Sequence, residues 1–245
     1  MDHIENKSVG EIVAQDYRAA SVFENHKIDF CCNGGRSLAD VAAEKGLALE
    51  TLVEEVKQAR AQGDGGATDY ESWPLDLLAD YIVKTHHRYS DQQITKIKPY
   101  LDKIAQVHGD RHPELFKIKE IFNQIAGEIS AHTKKEEIMV FPFIKKLVNA
   151  KEKNLPYENP RARTVEDPVN MLRHEHDNQG DAFKEMAALS KDYTTPEDGC
   201  NTYRVTLGLL KEFEQDLHKH IHLENNILFP GAIALEKELT AQNEV

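Results

Sequence analysis

Two segments of the sequence carry a histidine followed four residues later by a glutamate: His132 with Glu136, and His220 with Glu224. Four residues are about one helical turn, so each pair lies on one face of a helix. In both segments a Phe-Pro dipeptide begins nine residues after the histidine, which indicates an internal duplication. Imidazole and carboxylate groups that share a face suit iron, manganese or zinc.

Both motifs interrupt an apolar stripe, which predicts that they face the interior of the protein. In the second copy the stripe reaches His220 and Glu224 from Phe213 and Leu217 at spacings of three and four, as in a helix-bundle seam. An ionised glutamate in such a core costs several kcal/mol unless it is paired. A metal ion would satisfy the histidine and the glutamate together.

The first and third predicted long helices each add one histidine to their own stripe. Counting 100° per residue selects His86 over its neighbour His87 and also selects His176. His86 and His132 lie about equally far from the loop that joins their helices, and so do His176 and His220. All four imidazoles are therefore expected at one depth in the bundle. The predicted metal ligands are His86, His132, Glu136, His176, His220 and Glu224.

Six such ligands are enough for two ions that share both carboxylates. Each ion would receive two histidines and one oxygen from each glutamate, at the separation of about 3.5–4 Å typical of two-metal sites. Two divalent ions against two carboxylates leave positive charge, which favours an oxo or hydroxo bridge, and positions stay open for oxygen or nitric oxide. We expect two iron ions, and spacing alone does not exclude manganese or zinc.

Helices must position these residues, and turn-rich breaks divide the second part of the chain into four long helical segments. The segments span 74–107, 113–150, 165–190 and 200–238. Short connections favour an up-down-up-down four-helix bundle. The expected fold is all-α: a small helical domain over 1–60, a glycine-rich flexible linker over 61–72, and the bundle over 73–245.

Composition narrows the classes of function. The formal charge is −12, and residues 1–60 hold 7 basic and 11 acidic side chains, so binding to nucleic acid is disfavoured. No apolar run approaches the roughly 20 residues that span a bilayer, and no secretory leader is recognisable. These features predict a cytoplasmic protein with no membrane partner. Three cysteines are too few for a disulfide framework.

At the six ligand positions the chain resembles a hemerythrin-like domain, whose pattern is one histidine on each of four helices with His-x-x-x-Glu on two. Residues 29–38, Asp-Phe-Cys-Cys-Asn-Gly-Gly-Arg-Ser-Leu, are similar to the signature of the small domain that precedes it in the repair-of-iron-centres proteins. The resemblance implies a di-iron protein that repairs iron–sulfur clusters damaged by oxidative or nitrosative stress. It also implies damaged iron–sulfur proteins as partners and the six ligands named above.

The adjacent residues Cys31 and Cys32 allow two interpretations. They are either small side chains at an Asn-Gly-Gly turn or a thiol pair that accepts or passes iron. Adjacent cysteines seldom bond to each other without strain. Three functions stay open, namely cluster repair by iron donation, reversible binding or sensing of oxygen or nitric oxide, and nitric oxide reduction. A small helical unit on a tether also suggests a homodimer. Cys200 is expected to be structural, and His3, His26, His108 and His112 are expected at the terminus, in loops or on the surface.

Overall fold

The computed structural model describes residues 4–61, 68–157 and 164–242. Within these ranges the regular elements are helices, and no strand occurs, which confirms the all-α prediction. No helix in this part of the chain is long and apolar enough to cross a bilayer. Of the predicted linker, residues 62–67 lie outside the described residues, while Tyr70–Ser72 form a short 3-10 turn in which Tyr70 is buried.

The N-terminal unit contains four short helices. Ser8 caps the first through a capping box with Glu11, and Ser37 caps the third by accepting a hydrogen bond from the backbone N–H of Asp40 at 3.1 Å. The loop between the second and third helices carries the two adjacent cysteines. The helices are α1 (Val9–Gln15), α2 (Ala20–Asn25), α3 (Leu38–Lys45) and α4 (Leu49–Ala61).

Seven further helices build the four long rods of the bundle. The first rod is α5 (Leu75–Ile82) with α6 (Arg88–His108), the second α7 (Glu114–Lys135) with α8 (Phe141–Glu152), the third α9 (Glu166–Leu189), and the fourth α10 (Asn201–Leu223) with α11 (Phe229–Gln242). Each rod packs against the next in sequence, and the first packs against the fourth. The up-down-up-down bundle predicted from the loop positions is confirmed.

Three of the rods contain one turn of π-helix, in which an extra residue widens the helix. These turns are Val83–His87, Glu136–Val140 and Glu224–Leu228. A single π turn rotates everything beyond it by about one residue relative to an unbroken α-helix, and such turns are frequent at functional sites. The last two turns begin at the glutamates of the duplicated motif.

A layer of buried polar side chains divides the bundle core into two apolar parts. Phe122 and Phe213 belong to the part near the two hairpin loops, and Phe141 and Phe229 belong to the other. The first part is continuous with the apolar interior of the N-terminal unit. The small unit is therefore packed against the bundle through a shared core.

The two units also meet at a close backbone contact beside the π turn of the fourth rod. Asn226 Nδ2 donates to the carbonyl oxygens of Phe30 and Cys31, each at 3.3 Å. A Cβ atom added to Gly10 or Gly34 would lie 2.5 or 2.9 Å from Asn226 Oδ1. The absence of a side chain at these two glycines is what allows the approach.

Candidate metal centre

Side chains from all four rods meet in the polar layer at the middle of the bundle. Their ring nitrogens and carboxylate oxygens lie close together, and each side chain is at most 3% exposed. The six converging residues are His87, His132, Glu136, His176, His220 and Glu224.

These residues form two overlapping groups of four, and each group contains both glutamates. Glu136 Oε1 lies 3.1 Å from Nε2 of His132, and its Oε2 lies 3.3 Å from Nε2 of His87. Glu224 Oε1 lies 3.2 Å from Nε2 of His220, and its Oε2 lies 3.2 Å from Nε2 of the third-rod histidine. Each carboxylate thus offers one oxygen to each of two neighbouring sites, as a carboxylate that bridges two ions does.

The converging atoms fit metal ions better than they fit one another. Both oxygens of Glu136 and Glu224, and Nε2 of His87 and His220, are buried and make no hydrogen bond within the described residues. A buried polar atom left unpaired costs about 1–3 kcal/mol. Two ligands bound at right angles to one ion, each at about 2.1 Å, lie about 3.0 Å apart. The separations here, 2.9 to 3.3 Å, match that distance.

Hydrogen bonds on the outer side of three rings aim their Nε2 atoms at the centre of the layer. The pairs are His132 Nδ1 with Glu175 Oε2 (2.8 Å), His176 Nδ1 with Asn225 Oδ1 (3.0 Å) and His87 Nδ1 with Glu137 Oε1 (3.0 Å). A carboxylate only accepts, so Nδ1 carries the proton and donates it. Nε2 is then the ring nitrogen that offers its lone pair to a metal once any proton on it is displaced, as in other metal-binding histidines.

The charges of the layer also favour a cation. Burial raises the pKa of Glu136, but His132 and His87 hold it well below its usual range. Burial lowers the pKa of His132, and the charge of Glu136 outweighs burial and raises it to about 9. The pKa of Glu224 is also lowered, because the effects of His220 and His176 outweigh burial and the like charge of Glu136. Two ionised carboxylates therefore face each other in the interior.

His86, which the sequence pattern selected, lies beside this cluster instead of in it. Its Nδ1 is 2.9 Å from Asp216 Oδ1, and its ring stacks on that of His220 with centroids 5.8 Å apart. The physical reason is the π turn Val83–His87. Its extra residue moves His87 to the face where an unbroken α-helix would carry His86. The structure brings His87, and not His86, together with the other five residues.

The sequence does contain a signal for this shift. The apolar stripe of the first rod leads to His86 when it is followed forwards from Ile82, and to His87 when it is followed backwards from Ile94. Two halves of a stripe that disagree by one residue indicate an inserted residue between them.

The double-cysteine loop lies directly behind the third-rod ligand. Cys32 Sγ is 3.6 Å from the backbone carbonyl oxygen of His176. The sulfurs of Cys31 and Cys32 are 3.9 Å apart, far beyond the length of a disulfide bond. Asn225 accepts from the ring of His176 and donates through Nδ2 to the carbonyl oxygen of Cys31 at 3.3 Å. One side chain therefore touches both the metal centre and the cysteine loop.

Asp29 organises this loop. Its carboxylate accepts from the backbone N–H groups of Cys31 at 3.2 Å and Cys32 at 2.9 Å, and it pairs with Lys184 at 3.2 Å. Burial raises the pKa of Asp29, but hydrogen bonds from Asn33 and the charge of Lys184 hold it below its usual range. The hydrogen bond to Cys32, burial and the charge of Asp29 raise the pKa of Cys31 well above the ordinary value. Cys31 is therefore a neutral thiol at pH 7.

Some histidines without a sequence-based role have defined partners. His108 is buried, against expectation, with Nε2 3.2 Å from Cys200 Sγ. His112 Nε2 lies 2.8 Å from Asp198 Oδ1. His26 pairs with Glu55 near the surface at 2.6 Å. His3 lies outside the described residues.

Comparison with protein families agrees with this architecture. The Hemerythrin HHE cation binding domain matches residues 78–232, and the Domain of Unknown function (DUF542) matches residues 5–60. The fold and the site together define a hemerythrin-type cation-binding bundle with a small helical domain in front of it.

Relatives extend the match to nearly the whole chain. The iron-sulfur cluster repair protein YtfE of Pectobacterium carotovorum is 31% identical over 93% of this chain and 97% of its own length. The protein of the same name from Musicola paradisiaca is 29% identical, covering 94% and 98%. The iron-sulfur cluster repair protein ScdA of Staphylococcus haemolyticus is 29% identical, covering 92% and 98%. The chain belongs to the family of the iron-sulfur cluster repair proteins.

Proposed function

We propose that this protein repairs iron–sulfur clusters damaged by oxidative or nitrosative stress, and that it does so by donating iron from a two-iron centre. The names of its relatives support the cluster as the client. The observation that carries the proposal is the sharing of Glu136 and Glu224 between two sites. Each site is completed by two imidazole nitrogens, so the chain offers two equivalent places for iron.

In this proposal His132 and His176 would hold one ion, His87 and His220 would hold the other, and Glu136 and Glu224 would contribute to both sites. Bound iron supplies electron exchange and exchangeable coordination positions. The chain keeps two carboxylates ionised and keeps the ring lone pairs directed inward. It also excludes water from the layer, because these side chains are almost completely buried.

The donor set also gives iron transfer a direction. Imidazole and carboxylate are harder ligands, whereas iron–sulfur clusters are built on soft sulfur ligands. Iron that leaves this centre for a damaged cluster therefore moves to sulfur, the ligand set on which such clusters are assembled. A centre with thiolate ligands of its own would compete with its client.

We further propose that Cys31 and Cys32 take part in passing the iron. Their loop touches the backbone of His176 and is joined to its ring through Asn225. Cys32 is half-buried, so it can be reached by a client protein, whereas Cys31 is buried. A thiol that binds iron releases its proton, and Cys32 lies closer to the solvent that would take it up.

The test follows iron from this protein to a client. The chain is loaded with 57Fe(II) without oxygen and mixed with a dehydratase whose four-iron cluster has lost one iron. We expect two iron ions per chain before mixing, recovery of dehydratase activity, and 57Fe in the client cluster by Mössbauer spectroscopy. A stable oxygen or nitric oxide adduct without transfer would overturn the proposal in favour of reversible binding. Sustained nitrous oxide formation without transfer would overturn it in favour of nitric oxide reduction.

Matched variants separate the parts of the proposal. His87→Ala is expected to lower the iron content from two to about one per chain, while His86→Ala keeps two; the opposite result would refute the assignment of His87. Glu136→Gln is expected to lose iron, and Glu128→Gln, an exposed position on the same rod, is the control. Cys31→Ser with Cys32→Ser is expected to keep two iron ions but to slow transfer at least tenfold. Transfer at the original rate would exclude the thiols.

A further inference from the structure

A second group of reactive side chains lies at the loop end of the bundle, far from the metal centre. Cys200 immediately precedes α10, a helix of 23 residues, and His108 is the last residue of α6. Twenty residues of α10 separate Cys200 from His220, which is about 30 Å at 1.5 Å per residue. The two groups are therefore chemically independent.

The geometry of this group is that of a cysteine–histidine pair. His108 Nε2 lies 3.2 Å from Cys200 Sγ. The histidine ring is only 4% exposed, and its Nδ1 has no hydrogen-bond partner within the described residues. Among these residues the thiol is the single polar partner of a buried imidazole, whereas Cys200 itself is exposed. A histidine within hydrogen-bond reach of a thiol is the arrangement that activates cysteine nucleophiles.

The start of α10 stabilises negative charge on the same sulfur. The backbone N–H of Tyr203 lowers the pKa of Cys200; slight burial opposes this, and the N–H of Thr202 adds to it. A helix N-terminus favours a thiolate because its first N–H groups carry partial positive charge.

The other charged groups at this end do not cancel the effect. Asp198 is the nearest carboxylate in sequence, and it is bound by Arg111 at 2.8 Å and by His112 Nε2 at 2.8 Å. Glu114 in turn pairs with the other nitrogen of His112 at 3.2 Å. Asp198 thus has a guanidinium partner, and His112 bridges Asp198 and Glu114.

We propose that Cys200 and His108 form a peroxide-reactive thiol–imidazole pair, a modification site separate from the iron centre. The sulfur attacks one oxygen of a hydroperoxide, so that an S–O bond forms and the O–O bond breaks, while Nε2 of His108 takes the thiol proton. The His108 ring then gives that proton to the leaving hydroxide or alkoxide. Cys200 is oxidised to a sulfenic acid, and the hydroperoxide is reduced to water or an alcohol. This inference does not depend on the proposed iron donation.

The experiment uses the intact, iron-loaded protein and measures each cysteine by peptide mass spectrometry. Alkylation by iodoacetamide is followed from pH 5 to pH 10, and sulfenic acid formed by limiting hydrogen peroxide is trapped with dimedone. We expect the alkylation rate of Cys200 to level off with a midpoint below about 8.5, the ordinary value for a thiol. We also expect dimedone on Cys200 in preference to Cys31. A midpoint at or above the ordinary value, or no dimedone adduct, would overturn the proposal without any substitution.

Two variants test the role of the histidine. His108→Gln keeps a polar side chain of similar length but has no proton to give, and it is expected to slow the peroxide reaction of Cys200 at least tenfold. His26→Gln is the control, because this histidine pairs with Glu55 in the N-terminal unit and has no contact with the thiol; it is expected to react like the parent. Equal rates in the two variants would leave Cys200 without an activating partner and refute the pair.

Discussion

At the scale of single residues, the outer hydrogen bonds decide which ring atoms are available to a metal. His86 and His87 are adjacent, both are buried and each has an outer carboxylate on Nδ1, but it is His87 that groups with both glutamates. His87 is held from outside by Glu137, and His132 is held in the same way by Glu175. Such outer partners fix the tautomer and orientation of a ligand, and their loss typically weakens metal binding 10- to 100-fold.

Glu175→Gln tests this orientation. The carboxylate accepts from His132 Nδ1 and is itself held by Lys135. The amide removes the charge and competes for the ring with its own N–H groups. We expect the ion nearest His132 to bind roughly 10–100 times more weakly, measured by competition with a chelator. Glu128→Gln is the control on the second rod, and equal affinity in the two variants would contradict the prediction.

Glu214 provides a pH-dependent test away from the metal ligands. Burial raises its pKa from 4.5 to about 7, so the folded chain holds this proton more tightly than the unfolded chain. The neutral Glu214 carboxyl therefore makes its full contribution to the free energy of unfolding below pH 4.5, and this contribution is lost as pH rises through 7. Glu214→Gln is expected to raise the free energy of unfolding by about 1–3 kcal/mol at pH 8, after discounting for partial exposure, and by nearly nothing at pH 4.5.

Urea unfolding at the two pH values measures the effect of Glu214→Gln. Glu212→Gln, on the exposed face of the same helix, is the control and should change stability equally at both. The same gain for Glu214→Gln at pH 4.5 and pH 8 would show that titration of this carboxyl is not the cause.

At the scale of helices, the sequence predicts the rods but not their π turns. The turn-residue breaks predict all four rods within a few residues, and the duplicated motif predicts both glutamates of the centre. Uniform periodicity fails where the helix widens: Met139 lies seven residues after His132, a spacing that would keep it on the buried face of an α-helix, but it is 54% exposed, and Val140 is buried in its place. Pro142 and Pro230 lack an N–H, so a carbonyl one turn earlier is free to join a wider turn. The first rod has no such marker, and there the structure places His87 in the cluster where the sequence pattern selects His86.

Deletion of Lys84 tests whether the first π turn exists only because this segment contains one residue more than a regular α-helix would. Removing this exposed residue shortens the distance from Ile82 to His87 from five positions to four, the spacing of an α-helix. We expect the variant to keep two metal ions, measured by elemental analysis. Deletion of the exposed Gln92 in the regular part of α6 rotates the residues before it by about 100° relative to those after it. We expect this variant to lose metal. Equal metal contents in the two deletion variants would contradict this view of the turn.

At the scale of the whole molecule, the N-terminal unit and the metal centre are connected through Asn225. Its side chain bonds the ring of His176 on one side and the backbone of Cys31 on the other. An ion that fixes the His176 ring therefore also restrains the loop over residues 29–36. The connection gives the cysteine loop a means of responding to iron content.

Hydrogen exchange with and without iron measures this response. We expect iron to slow amide exchange in the 29–36 segment at least fivefold in the parent, because a restrained loop opens less often. Asn225→Ala should remove most of that protection when iron is added in enough excess to keep both sites filled in spite of the weaker binding expected without this outer partner. Protection that persists in Asn225→Ala would place the coupling in the shared apolar core instead.

The polar layer across the bundle affects how readily the folded chain unfolds and is attacked by proteases. With iron bound, the folded chain gains stability by mass action, about 2.7 kcal/mol at a hundredfold excess over the dissociation constant. Without a bound cation, only the surrounding imidazoles compensate the two carboxylates between the apolar parts of the core. Cellular proteases act on the transiently opened population. We therefore expect proteases to degrade the metal-free chain faster than the metal-loaded chain.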